Sequence, residues 1–297
     1  MRVPDQNLAE VFDRGFTVVE GFLDRETLAA AQDALWEIYP RPADYFAAPE
    51  AHAQFSRSQF RGIRIFPYLQ PALNRLATHP DLVEAAERFC DSRELDLYKI
   101  ELWAKYAGAI NYDQHLHRDY GNHTLMVPRA DQVGMQMTTF ILLSDVGEHD
   151  GPTKLVPLEK TRHIPLGVRD LPFGELIEDE VAAVAPAGSL MIYKPDVFHR
   201  GSNFTAPGRS RFALLVDFKA RNDWRWQGKL HWADHANRPG WAEAMAAMTP
   251  RERDLFGWPP PGSDYWNAQT LSDTALRYPS VDVTPYGAAA PAAEANA

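Results

Sequence analysis

The chain has 297 residues, 45 % hydrophobic and 24 % charged, a globular composition that excludes a wholly disordered chain. Its 40 acidic residues against 30 basic residues give a formal net charge of −10, which disfavours nucleic acid and anionic membranes as partners. The single cysteine, Cys90, cannot form an internal disulfide. The sequence shows neither a signal-peptide pattern nor an apolar run of membrane-spanning length, so we expect a cytoplasmic protein.

The first ninety residues predict a short strand and two helices. Residues 15–19 form a β-branched run after a glycine, and Asp24 is a suitable N-cap for a helix that ends before Pro40. A second helix is predicted from Pro80. Residues 41–70 are rich in aromatic side chains and carry no clear pattern.

From residue 95 onwards the sequence predicts short strands separated by clusters of glycine, proline, aspartate and asparagine. Such a pattern favours an antiparallel sandwich or barrel over an α/β sheet. The predicted strands span residues 95–106, 114–119, 135–143, 153–157, 189–193 and 210–219.

We therefore predict a single domain, mainly β with flanking helices. It covers residues 1–285, with its β core at about 95–220 and a further helix near 240–255. Residues 286–297 are low in complexity and rich in alanine, which predicts a flexible tail.

One local pattern has the character of a metal site, because His115, His117 and Asp119 alternate along an extended segment. Residues i and i+2 of a strand point to the same face, so these side chains are expected to project together. An imidazole and a carboxylate supply two of the three ligands of the facial triad that holds non-haem Fe(II). The third would be a histidine from a distant strand, and His199 follows an apolar strand. Each feature alone is a weak signal in a chain with ten histidines.

Two arginines and a lysine could bind an anionic ligand. Arg209 and Arg211 lie at the entry of an apolar strand, and a guanidinium inside a barrel needs an anion because it stays charged. A dicarboxylate co-substrate would supply that anion, although either arginine could instead pair with a surface acid. Lys105 could offer a second cation, or could equally be a solvated strand residue.

Taken together, and in this order along the chain, the motifs resemble the phytanoyl-CoA dioxygenase family of Fe(II)- and 2-oxoglutarate-dependent oxygenases over roughly residues 10–220. The order is more specific than any single motif. The matching segments are residues 12–24, His117-x-Asp119, residues 150–157 beginning Asp150-Gly151-Pro152, the block 199–203, and residues 211–214. The resemblance implies a double-stranded β-helix, which is a jelly-roll, cupin-like core.

The same resemblance implies the site residues. Iron would be held by His117, Asp119 and His199, and the distal carboxylate of 2-oxoglutarate by Arg211. We prefer Arg211 to Arg209 because the arginine of the family directly precedes apolar strand residues.

The chain departs from the family at two places. The hydroxyl that often helps to bind 2-oxoglutarate lies two residues after the distal histidine, where this chain has Gly201. The nearest hydroxyl is that of Ser202, which we therefore assign to the co-substrate together with Lys105. The family's Pro-Gly-Ser-His ending is also missing, since Pro157 is followed by Leu158 and Glu159.

The implied activity uses Fe(II), 2-oxoglutarate and O₂ to hydroxylate or otherwise oxidise an unactivated C–H bond of a small molecule, with release of succinate and CO₂. Asp119 favours oxygen-derived chemistry, because related halogenases lack this carboxylate. Two alternatives stay open: a cupin-type metalloprotein that does not use 2-oxoglutarate, and a non-catalytic binding protein that retains the fold. We also predict that residues 120–128 form a lid, while Trp224 and Trp226 could line a pocket or pack in the core.

Overall fold

The computed structural model of the protein describes residues 2–119, 135–221, 232–236 and 238–287. The predicted lid at 120–128 and the residues Trp224 and Trp226 lie outside these ranges. The strands are β1 (Phe16–Val19), β2 (Ile63–Ile65), β3 (Leu95–Tyr106), β4 (Gln136–Leu142), β5 (Lys154–Leu155), β6 (Val181–Ala182), β7 (Leu190–Tyr193), β8 (His199–Arg200) and β9 (Ser210–Ala220).

Helices surround these strands at both ends of the chain. They are α1 (Asp5–Arg14), α2 (Arg25–Leu35), α3 (Pro42–Ala47), α4 (Pro71–Ala77), α5 (Pro80–Cys90), α6 (Leu158–Thr161), α7 (Trp232–His235), α8 (Trp241–Ala247), α9 (Pro250–Asp254), α10 (Ala268–Arg277) and α11 (Thr284–Gly287). Short 3₁₀ helices span Pro49–Phe55 and Ile177–Asp179. None of the helices in the described ranges is long and apolar enough to cross a membrane.

The strands form two antiparallel sheets. The larger has the order β1-β7-β4-β9-β3-β2, and the smaller has the order β6-β5-β8. Side chains on the outer face of the larger sheet, such as Leu102 of β3 and Leu214 of β9, join the main hydrophobic core together with the helices. The inner face is left to line a cavity between the two sheets.

A β-bulge in β3 decides which of its side chains enter the cavity. The pairing of β3 with β9 shifts between Leu97 and Lys99, so the alternation of inward and outward side chains changes phase there. Leu97 is part of the main core, whereas Lys99, Glu101 and Lys105 line the cavity after the shift. The bulge therefore gives the cavity a row of charged residues from a single strand.

Several predicted elements are confirmed. Strand β3 occupies the predicted residues 95–106, and α5 begins at Pro80. The side chain of Asp24 caps α2 by accepting a hydrogen bond from the backbone N–H of Thr27 at 2.7 Å. Such a cap satisfies one of the backbone donors that the first turn of a helix leaves unpaired.

Other predicted elements need correction. Residues 114–119 do not form a strand, because only His117 makes bridges there. The strand predicted at 153–157 is limited to Lys154–Leu155. The helix predicted near 240–255 is two helices, since Thr249 forms a capping box with Glu252 and starts a new helix. Helix α11 buries Tyr286, so the packed chain extends past residue 285, where we placed the end of the domain.

Candidate active site

Two histidines from distant parts of the sequence are direct cross-strand neighbours. The backbone N–H of His117 donates to the oxygen of His199 at 2.9 Å, and the N–H of His199 donates to the oxygen of His117 at 3.0 Å. A pair bonded in this way places both side chains on one face. Their ring centroids are 4.6 Å apart, and Asp119 lies two residues beyond His117.

The hydrogen bonds of the two imidazoles leave one ring nitrogen of each directed at Asp119. The Nδ1 atoms lie 2.8 Å from the oxygen of His115 and 3.0 Å from that of Val197, and an Nδ1–H donor at each satisfies both carbonyls. The Nε2 atoms of His117 and His199 lie 3.9 and 3.5 Å from the Asp119 carboxylate. One potential ligand atom from each of the three residues lies within 4.8 Å of the other two.

This arrangement fits a divalent metal ion. Metal-ligating histidines commonly donate their other ring nitrogen to a carbonyl or carboxylate, as both do here. Burial lowers the pKa of His199 to about 4, which keeps its imidazole neutral and able to bind a metal at neutral pH. Two histidines and one carboxylate are also the donor set of the facial triad of non-haem Fe(II). The residues present therefore fit iron.

The Asp119 carboxylate is held by a buried phenol. The hydroxyl of Tyr193, on β7, donates to Oδ2 of Asp119 at 2.9 Å. Burial and the nearby Asp119 charge hold the pKa of Tyr193 well above its usual range, so the phenol keeps its proton. Tyr193 therefore orients the carboxylate toward the two histidines.

The three residues open onto a cavity of about 300 Å³ between the sheets. Arg211 lines this cavity, and one of its terminal nitrogens donates to the backbone oxygen of Gly151. A Cβ at Gly151, whose φ is +60°, would lie 2.7 Å from the oxygen of Ser202, so glycine is required at this turn. This explains part of the Asp150-Gly151-Pro152 motif, because the turn presents the carbonyl that holds Arg211.

Arg209 and Arg211 differ in their exposure to solvent. The side chain of Arg209 is 52 % exposed, and its Nε lies 3.6 Å from the carboxylate of the buried Asp150. Arg211 faces the cavity, where burial lowers its pKa to about 10 and leaves the guanidinium charged at neutral pH. The geometry thus agrees with our preference for Arg211 as the anion-binding arginine.

Lys105 is a second buried basic residue beside Arg211. The two residues face each other across the β3–β9 pair, and Lys105 is only 3 % exposed. Its Nζ lies 4.8 Å from the ring centroid of Tyr112, and within the described ranges no carboxylate oxygen lies within 4 Å of it. A Cβ at Gly201 would lie 3.2 Å from this Nζ. The small residue at position 201 therefore makes room for the Lys105 amine.

Two predicted residues do not reach the cavity. Ser202 is buried, but its hydroxyl donates to the oxygen of Pro152 at 2.6 Å, and Ser202 is not among the lining residues. It therefore does not contribute the co-substrate hydroxyl that we assigned to it. His115 is exposed and packs against Phe173, because the segment before His117 is not a regular strand and does not continue the alternation.

Comparison with known proteins decides the family. The family model described as phytanoyl-CoA dioxygenase (PhyH) matches residues 12–213, more than half of the chain. The chain belongs to the phytanoyl-CoA dioxygenase family. It is accordingly an oxidoreductase that depends on non-haem iron and 2-oxoglutarate, with an oxygenase type of activity. Family membership argues against the two alternatives that the sequence left open.

Two solved structures have a similar fold. One is the non-heme alpha ketoglutarate dependent epimerase SnoN from nogalamycin biosynthesis, with a TM-score of 0.50 and 19 % identity over 73 % of this chain and 82 % of that chain. The other is the non-heme alpha ketoglutarate dependent carbocyclase SnoK from the same biosynthesis, with a TM-score of 0.54 and 15 % identity over 79 % and 90 %. No curated protein matches the chain. The likeness confirms the predicted double-stranded β-helix.

Sequence reasoning did not assign three cavity residues that bear on the chemistry of this family member. Tyr193 was placed on a strand, but its partner depends on the fold around Asp119. Lys99 and Glu101 line the cavity with Lys105. The signal available in the sequence was that Lys99, Glu101 and Lys105 are separated by two and four residues along one strand, which places these three on the same face.

Removing the Tyr193 hydroxyl is expected to weaken metal binding. In Tyr193→Phe the ring can keep its packing beside Phe140, while Asp119 loses a donor. Loss of such an outer hydrogen bond typically costs about 10- to 100-fold in metal affinity. Anaerobic titration with Fe(II) measures the change, and Tyr265→Phe, at an exposed position, is the control. Equal affinities in Tyr193→Phe and the parent would show that the hydrogen bond does not support the site.

Proposed function

We propose that this protein oxidises an unactivated C–H bond of a small molecule, hydroxylating it by default and releasing succinate and CO₂. The proposal rests on one observation: His117, Asp119 and His199 converge in a cavity that is also lined by the basic residues Arg211 and Lys105. The cavity thus offers both a metal-binding triad and a place for the far carboxylate of a keto diacid.

Different residues of the cavity would bind the iron and the 2-oxoglutarate. His117, Asp119 and His199 would hold the iron and leave other coordination positions open. Arg211 would pair with the distal carboxylate of 2-oxoglutarate, in a position fixed by Gly151. Lys105, cross-strand from Arg211, would contribute the second charge. Since Gly201 carries no hydroxyl, we propose that the Lys105 ammonium replaces the one usual in the family.

Iron and 2-oxoglutarate, when bound, would supply the oxidising chemistry that uses O₂ to remove hydrogen from carbon. The contribution of the chain is to position the target and to exclude water. Tyr193 keeps the Asp119 carboxylate in place with a proton that stays on its phenol oxygen. Apolar side chains such as Leu142, Met191 and Leu215 line the rest of the cavity and limit solvent access.

Hydroxylation is the outcome that we expect, and product analysis distinguishes it from the alternatives. The two similar structures are named as an epimerase and a carbocyclase. An increase of one oxygen atom in the product mass identifies hydroxylation. An unchanged mass identifies epimerisation, and a loss of two hydrogens identifies ring closure or desaturation.

The binding part of the proposal is tested without a substrate. Protein purified under anaerobic conditions is mixed with Fe(II) and 2-oxoglutarate, and we expect the weak visible charge-transfer band of the iron chelate. Succinate formation with a panel of small molecules then tests turnover. Absence of the band, together with absence of 2-oxoglutarate turnover for every compound, would refute the proposal.

The buried position of Lys105 makes co-substrate binding dependent on pH. Burial and the neighbouring Arg211 hold the pKa of Lys105 well below its usual range, while Asp113 acts in the opposite direction. Asp113 is itself 2.9 Å from Arg200, which weakens its effect. An incoming carboxylate favours the ammonium form and raises this pKa. Binding therefore takes up a proton when the pH lies between the low pKa of the free protein and the higher pKa of the complex.

We expect the affinity for 2-oxoglutarate to fall as the pH rises through that window. Calorimetric titration of the anaerobic iron-loaded protein, in buffers with different ionisation enthalpies, measures proton uptake directly. Lys105→Met should bind 2-oxoglutarate more weakly and with no proton uptake from this group. Equal uptake by Lys105→Met and the parent would assign the linked proton to another residue.

A further inference from the structure

Glu101 is a charged cavity residue that the metal and 2-oxoglutarate sites do not use. It lies on β3, it is 5 % exposed, and it lines the cavity. Its neighbour on the same face, Lys99, is paired with Asp217, whose Oδ2 lies 3.3 Å from the Lys99 Nζ. In the described part of the chain, the Glu101 carboxylate has no hydrogen-bond donor and no cation within 4 Å.

A buried carboxylate without a hydrogen-bond donor is costly, so the cavity favours a ligand that supplies one. Asp119 belongs to the metal site, and Asp217 is paired with Lys99. The co-substrate is an anion and would bind at Lys105, four residues along the strand or about 13 Å from Glu101. Glu101 is thus left as the acidic group that faces the substrate space.

Aromatic rings line the same cavity as this carboxylate. Trp103 follows Glu101 on the same face of β3, and its ring centroid lies 6.2 Å from that of Phe140 and 6.1 Å from that of Phe60. All three rings line the cavity. A carboxylate beside aromatic rings is an arrangement that binds organic ammonium groups, through a charge-assisted hydrogen bond and cation–π attraction.

We propose that the substrate is an organic cation, with an apolar body and one protonated amino group that pairs with Glu101. The apolar body would pack against Trp103, Phe140 and the aliphatic lining. The inference rests on the proposed function only in treating this cavity as the place of reaction. It names the chemistry of the substrate and predicts that neutral isosteres bind poorly.

The test compares two probes of equal size, 2-phenylethylamine and 2-phenylethanol, on the metal-free protein. Ligand-observed NMR titration gives the dissociation constants. We expect the amine to bind at least about tenfold more tightly than the alcohol, the change expected when a hydrogen bond gains a full charge. Glu101→Gln should reduce this preference to about twofold or less, and Glu101→Asp should keep most of it. Glu148→Gln, at an exposed glutamate outside the cavity, should leave it unchanged.

Three results would overturn the proposal. They are failure of the amine to bind the parent protein, equal or tighter binding of the alcohol, and an unchanged preference in Glu101→Gln, whether or not its melting temperature falls. The experiment uses neither iron nor 2-oxoglutarate, so its failure leaves the oxygenase proposal standing. Conversely, absence of the charge-transfer band together with absence of 2-oxoglutarate turnover would refute the oxygenase without affecting the amine preference.

Discussion

Replacing His117 by alanine is expected to abolish stoichiometric iron binding and, with it, 2-oxoglutarate turnover. The triad offers three donors within 4.8 Å, and removal of one leaves an aspartate and a single imidazole. Loss of an outer hydrogen bond already costs about 10- to 100-fold in metal affinity, and loss of a ligand exceeds that range. Metal analysis after anaerobic loading, together with succinate formation, measures both effects.

The chain provides a matched control two residues earlier. His115 is exposed, packs on Phe173, and contributes only its backbone oxygen to the orientation of His117. In His115→Ala that oxygen is retained, so iron content and turnover should stay within about twofold of the parent. If His115→Ala and His117→Ala lose iron equally, the assignment of His117 as a ligand is wrong.

The sequence predicted the metal-binding cluster because the three side chains come together even though the predicted strand at 114–119 does not form. Residues 114–119 are not a regular strand, yet the backbone pair between His117 and His199 fixes the two imidazoles side by side. The spacing of two residues from His117 is then enough to place Asp119 beside the two imidazoles. His115 fails the same argument, because the alternation requires extended backbone that the segment lacks before His117.

The charged residues that β3 contributes to the cavity could not be predicted in the same way. Whether Lys99, Glu101 and Lys105 point inward depends on the bulge after Leu97, and a shift of one residue would have turned them toward the helices. Nothing local in the sequence marks that bulge. Ser202 shows the converse, since a hydroxyl one residue from the expected position points instead to the backbone of Pro152.

Because Arg211 points into the cavity, we expect its replacement to have the second large effect, a loss of affinity for 2-oxoglutarate. The register that pairs Arg211 with Lys105 also places Phe212 in the main core, so the alternation of β9 holds the guanidinium in the cavity. There it is shielded from water, and a carboxylate bound to it is held by a charge-assisted pair in a low dielectric. Truncation of one partner of such a buried pair typically costs about 2–5 kcal/mol.

Arg211→Ala is therefore expected to raise the dissociation constant of 2-oxoglutarate by about 30- to 4,000-fold, while iron content stays at the parent level because none of the triad contacts Arg211. Arg209→Ala removes only the 3.6 Å pair between the half-exposed Arg209 side chain and Asp150, worth about 0–1 kcal/mol, and should change that constant by at most about fivefold. Titration of anaerobic iron-loaded protein through the charge-transfer band measures both variants. If Arg209→Ala had the larger effect, Arg209 would be the residue that binds the distal carboxylate, and our assignment of Arg211 would be wrong.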